Sequence, residues 1–223
     1  MALRILFSLI IPFCLFSEPA PIPLFDPPAG WECALPEKIS PCIQIGFLGT
    51  GSTSFRPSIN LSIEEIDVGL KEYLKAVKEI YSGQAGTNWR DLGKFKSRAG
   101  EGRLTEISST CPIGPIKMLQ MILVSGKTAY ILTGAAIKEE FLRFQETFMK
   151  SFQSLRLSKD LFSPLPSEKK ARFEKFFSEI SDEQSEKEAK WADLQALVNQ
   201  DGQEMGNYWQ ILVLKSGREK IYR

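Results

Sequence analysis

Hydrophobic positions along this chain follow two rhythms. From Leu92 to Thr133 they fall in short β-type runs, Leu92–Arg98, Arg103–Cys111, Ile116–Val124 and Thr128–Thr133. The runs are punctuated by Gly100-Glu101-Gly102, Pro112-Ile113-Gly114-Pro115 and Ser125-Gly126-Lys127. Runs of this length bounded by turn residues read as strands, and links this short join antiparallel neighbours, so the pattern predicts a meander. On either side the rhythm changes to the helical one. Ser62-Ile63-Glu64-Glu65 matches a capping box, with Ile66, Leu70, Tyr73, Leu74, Val77, Ile80 and Tyr81 behind it and Ser82-Gly83 as a stop. Ile137, Phe141, Phe144, Phe148, Phe152 and Leu155 form a second apolar stripe, expected to lie across the sheet. Further strands are expected at Trp31–Leu35, Cys42–Leu48 and Ser58–Ser62.

The ends differ in character. Residues 1–17 combine a cationic start, Met1-Ala2-Leu3-Arg4, with an apolar run to Phe16 that is shorter than the roughly 20 residues a bilayer span requires and is interrupted by Pro12. They read as a signal peptide cleaved after Ser17, with an uncleaved anchor as the alternative. Residues 18–29 carry Pro19, Pro21, Pro23, Pro27 and Pro28 and are expected to be an extended linker. Residues 30–157 form the folded domain, and 158–223 a helical extension that begins after the break at Ser163-Pro164-Leu165-Pro166. Within the extension, Phe173, Phe176, Phe177 and Ile180 make one stripe, and Trp191, Leu194, Leu197 and Val198 another. The segment from Met205 to Val213 suits a helix or a strand. The aromatics Phe173, Phe176, Phe177, Trp191, Tyr208 and Trp209 either complete a core or dock a partner; self-packing is the favoured expectation, a partner surface the alternative.

Composition narrows the chemistry. Lys+Arg of 28 against Asp+Glu of 27 provides no net field to draw in nucleic acid or anionic membrane. The chain has no histidine, which rules out Ser-His-Asp and Cys-His catalysis and histidine-bearing zinc sites. No metal or other cofactor is implied. With Leu35 set opposite Ser40 across a short loop, Cys33 would face Cys42 at a separation a disulfide accepts, and buried reduced thiols are the alternative. Ser125-Gly126-Lys127-Thr128 resembles the end of a phosphate-binding loop but has Met121 where that loop needs glycine, so it reads as a hairpin turn. The glycine-rich stretch Phe47–Ser54 has amides that would suit an anion, though no helix follows it.

Gly30-Trp31 opening the domain, Trp89 before the meander, Met118–Val124 as a central strand, and Ala129-Tyr130-Ile131-Leu132-Thr133 leading to a helix that ends Phe148, Ser151-Phe152, Ser154-Leu155 together resemble the Mog1/PsbP-like group, in particular its exported bacterial members. The resemblance covers about Trp31 to Leu157 and implies an α+β fold, an antiparallel sheet flanked by helices (an α/β/α sandwich), here with a C-terminal helical extension. It implies an accessory or binding protein acting through protein contacts, in the periplasm or secreted. The alternatives are a small hydrolase or thiol enzyme using Cys111, and a structural subunit of an envelope assembly. Mass spectrometry of the chain recovered from exporting cells should find Glu18 at the mature N-terminus; Met1 retained would rule out the cleaved leader.

Overall fold

The computed structural model describes residues 20–34, 43–51, 55–180 and 186–223. The expected leader, residues 1–17, and its cleavage site lie outside them. Seven strands make one antiparallel sheet: β2 (Glu32–Ala34), β3 (Ile43–Leu48), β4 (Ser58–Glu65), β5 (Asn88–Ser97), β6 (Gly100–Cys111), β7 (Gly114–Ser125) and β8 (Thr128–Ile137), in the order β2-β3-β4-β8-β7-β6-β5. The last four are the expected meander. Strand β8 is central and buried along its whole length, which is why Ala129–Leu132 reads as a continuous apolar run rather than an alternation.

One sheet face carries Ile45, Phe47, Ile59, Leu61, Leu104, Leu119, Met121 and Leu132. Helix α2 (Phe141–Gln153) lies on it through Phe141, Phe144, Phe148 and Phe152. The approach is close enough that a Cβ on Gly134 would come within 2.5 Å of the Phe148 ring, so only glycine fits there. On the second face, helix α1 (Leu70–Ser82) buries Tyr73 against Ile122, Ala129 and Ile131.

The N-terminal edge of this helix differs from expectation. Ser62 to Glu65 continues β4, with Ser62 opposite Ile131 and Glu65 opposite Thr128. Pairing along the full length of β8 outweighs the local capping signal, and the helix begins after Gly69 without a side-chain cap. Ile137 likewise closes β8 instead of opening α2.

The proline-rich segment is extended, but it is also structural. Its Ile22–Leu24 is strand β1, paired with β9 (Arg156–Ser158) in a separate two-stranded sheet. Leu24 and Phe25 are each 1% exposed and serve different cores. Phe25 joins the main sheet core, its ring 5.1 Å from that of Tyr208. Leu24 joins a second core made by α3 (Ser167–Ser178), α4 (Lys187–Asp201) and α5 (Asn207–Ile221) around Phe173, Leu194, Val198 and Trp209. Adjacent residues of an extended chain point to opposite sides, so one dipeptide spans both cores. Asp26 adds ion pairs to Arg156 at 3.2 Å and Arg98 at 3.6 Å. Among the described residues no helix is long and apolar enough to cross a membrane.

Replacing Phe25 by Ala should cost about 3–5 kcal/mol in urea denaturation, the usual range for a buried phenylalanine. A loss below about 0.5 kcal/mol, the range of ordinary surface changes, would mean the segment is a linker after all.

Candidate functional site

Helix α1 covers only part of its sheet face. A helix is about 10 Å across, roughly the width of two strands, so the β5–β6 end of this face is left open. Between α1 and β5–β6 lies a cleft of about 620 Å³, inside the range typical of ligand sites. Leu70 and Leu74 and the rings of Trp89 supply apolar surface, while Lys71, Lys75 and Lys78 stand along the rim at a spacing that puts them on one side of the helix. Lys94 and Arg103 complete five cations against the two carboxylates Asp91 and Glu101.

Pairing within the cleft is incomplete. Lys94 binds Glu101 at 2.9 Å, Arg103 donates to Asp91, and Lys75 reaches Glu79 at 4.0 Å. Lys71 and Lys78 make no ion pair among the described residues. Burial raises the pKa of Asp91, but the hydrogen bonds from Arg103 and the Gly93 N–H, with the Arg103 charge, outweigh it and leave the carboxyl below its ordinary value. Gly93, at φ +108°, makes the bulge that aims this N–H at Asp91.

Two nitrogens of cleft residues, Trp89 Nε1 and Arg103 Nε, are buried without a hydrogen-bond partner. Thr105 Oγ1 beside them is also unpartnered, in a residue that is 0% exposed. Such groups are uncommon and carry a desolvation cost. Thr105 belongs to a polar row that crosses the sheet on this face: Asp91 opposite Thr105, Thr105 opposite Gln120, Gln120 opposite Thr133, and Thr133 opposite Asn60. Gln120 Nε2 donates to Thr133 Oγ1 at 3.2 Å and reaches Tyr81 Oη at 3.5 Å. Under α1 this row opens into a smaller cavity of about 210 Å³, where the Tyr73 hydroxyl donates to Glu64 at 2.6 Å.

The residues singled out from sequence fall elsewhere. Phe173, Tyr208 and Trp209 are buried, and Phe176, Phe177 and Trp191 are half-buried against the tail core. Trp209 Nε1 donates to the Leu161 carbonyl at 2.6 Å. The six aromatics thus pack on their own chain, and the first three have no face left for a partner. Cys33 lies opposite Phe47 in the β2–β3 register. Cys42 itself lies outside the described residues, so the Cys33–Cys42 bridge stands as a proposal. The Cys111 thiol donates to the Gly114 carbonyl at 3.2 Å in the β6–β7 turn. From there to Arg103 is about 26 Å along β6, too far for the two to share a site. Ser125-Gly126-Lys127-Thr128 forms the expected hairpin turn, with Gly126 at φ +58°. In the glycine-rich loop the Gly49 N–H is taken by the Pro57 carbonyl, and Arg56 fills the loop by donating to the Leu48 and Gly49 carbonyls. Residues 52–54 of that loop lie outside the described residues.

No family model matches the chain, and no curated protein matches it. Among solved structures it is similar to LpqN of Mycobacterium tuberculosis, described as involved in cell envelope biogenesis, with a TM-score of 0.49 and 13% identity over 64% of this chain and 87% of that one. It is also similar to the cyanobacterial PsbP, CyanoP, of Synechocystis sp. PCC 6803, with a TM-score of 0.42 and 12% identity over 58% and 83%. A PsbP is thus among the solved structures that resemble it, and the likeness concerns the course of the chain alone.

The cleft residues had a weaker signal. Lys71, Lys75 and Lys78 repeat at helical spacing, while Thr105, Gln120 and Thr133 are polar residues that nothing in the sequence sets apart from the other polar positions of their strands. Their alignment into a row appears only once the register is known.

The Asp91–Arg103 pair gives a pH signature. A carboxyl held below its unfolded pKa of about 3.9 stabilises the fold fully above that value and loses the contribution as pH falls through the lower folded value. The stability difference between wild type and Asp91→Asn, followed by urea denaturation, should be largest near pH 6 and vanish at the acid end. A difference independent of pH would remove the pair from the account.

Proposed function

We propose that this chain is an exported, non-enzymatic binding or accessory protein whose working surface is the cleft between α1 and the β5–β6 hairpin. One observation carries the reading: the apolar walls of the cleft, Leu70, Leu74 and Trp89, are rimmed by lysines of which Lys71 and Lys78 make no ion pair among the described residues. Open apolar surface ringed by unpaired cations is what a ligand or partner would cover. Export is supported by the cationic and apolar pattern of Met1–Phe16. The lack of histidine supports a binding role over the hydrolase and thiol-enzyme alternatives, which would have to work without the usual base near neutral pH.

A second reading, contact with another protein, is favoured by β5. It is an end strand of the sheet, so its outer backbone groups are open to strand addition directly beside the cleft.

A photo-crosslinking amino acid in place of Lys75, on the cleft rim, should form specific adducts in cells. The same group in place of Leu142, 78% exposed on α2, should not. A mass increment of a few hundred daltons would support the ligand reading, and a protein adduct the second. Equal labelling from both positions, or none from either, would overturn the cleft as the working surface.

A further inference from the structure

The cleft has two chemically distinct parts, and together they specify a class of ligand. The apolar part is formed by Leu70 and Leu74 of α1 and the Trp89 rings of β5. Above it stands a cationic rim in which Lys71 and Lys78 are uncompensated among the described residues. Arg103 reaches back along the hairpin to Asp91, which lies two residues from Trp89 on the same strand face, about 7 Å away at the β rise. Arg103 Nε and Trp89 Nε1 are themselves buried without a partner, so the cleft's accessible polar groups are the lysines of its rim. The whole chain carries only +1, so a local excess of two positive charges, Lys71 and Lys78, is a property of the cleft rather than of the molecule.

Resting on the reading of this cleft as the binding site, we propose that it takes a single-chain amphiphile with an anionic head group, bound as a monomer. The head is held by the lysine rim, where Lys71 and Lys78 have no ion pair among the described residues, and the apolar body covers Leu70, Leu74 and the Trp89 rings. A charged acceptor is favoured over a neutral one because charge-assisted hydrogen bonds are about twice as strong. An apolar body is needed because a bare anion would leave the leucines exposed to water.

The test uses five probes on the full chain: dodecyl phosphate and the chain-matched non-ionic dodecyl maltoside, each below its micelle-forming concentration, inorganic phosphate, phosphatidylglycerol vesicles and a glutamate decapeptide. Binding is read by calorimetry and by the indole N–H resonance of Trp89, identified by its loss in Trp89→Phe. Dodecyl phosphate should bind one equivalent, shift that resonance, and bind at least tenfold more tightly than dodecyl maltoside or inorganic phosphate. Combining Lys71→Gln, Lys75→Gln and Lys78→Gln, all at exposed positions, should weaken dodecyl phosphate at least tenfold and leave dodecyl maltoside within twofold. Equal binding of the maltoside, with the same indole shift, would overturn the anionic head group while leaving the cleft as a binding site. No indole shift with any probe would overturn the proposal, and the Lys75 cross-linking result would then decide the cleft's role separately. Sedimentation with phosphatidylglycerol vesicles without monomer binding would assign the lysines to a membrane surface. Tighter binding of a glutamate decapeptide would assign the cleft to an acidic protein segment. Either outcome would overturn the monomeric amphiphile.

Discussion

Everything about the site follows from the burial of β8. A central strand with apolar side chains on both faces must be covered on both sides, and the coverage here is unequal. The face under α2 is sealed by four phenylalanines and by residues from both chain ends, with Phe148 seated on Gly134 and Phe25 against Tyr208. The other face has a single helix, α1, with one buried side chain, Tyr73. At about 10 Å across, that helix shelters the β8 region and leaves β5 and β6 open. The cleft is therefore a consequence of how the sheet is roofed, and its floor is made of strands whose reverse side belongs to a well-packed core.

This arrangement accounts for the polarity of the site. The sheet face toward α1 carries the polar row Asp91, Thr105, Gln120, Thr133 and Asn60, which runs from the open edge at β5 to β8 and β4. Toward α1 the row is satisfied by Tyr81 and by its own members. Toward β5 it runs into groups with no partner, Thr105 and then Trp89 and Arg103. The change from satisfied to unsatisfied polar groups coincides with the edge of the helical cover. A rigid sheet thus presents fixed donors beside a thinly anchored helix, an arrangement in which positioning comes from the strands and adaptation from α1.

The meander was legible in the chain because Gly100–Gly102, Pro112–Pro115 and Ser125–Lys127 are strong turn signals and each link is short. The phenylalanine stripe of α2 was legible for the same kind of reason, four aromatics at one period. Ser62–Glu65 misled because a capping box is a local signal, whereas the competing strand pairing is with residues more than sixty positions away. The proline-rich segment misled because prolines exclude a regular ladder, but a three-residue strand at an edge needs few bonds, and Leu24 and Phe25 contribute burial instead. The cleft was hidden for a further reason. Its residues come from α1, β5 and β6, and their meaning lies in register and in missing partners, neither of which periodicity encodes. The tail aromatics, conspicuous in sequence, were conspicuous because they build a core.

The Leu24-Phe25 dipeptide constrains the order in which this molecule can assemble. It sits near the start of the chain, yet Asp26 contacts Arg156 at a sequence separation of 130, and Leu24 is enclosed by helices that end at Ile221. A ribosome delivers this segment before Arg156 and the helices α3–α5 that enclose it. Throughout synthesis the two apolar side chains stay without a native partner, flanked by prolines that keep them out of premature helix or ladder. Seating residues 22–26 against β9, Arg156 and the α3–α5 core links the two cores through one short segment, so a change there is felt by both.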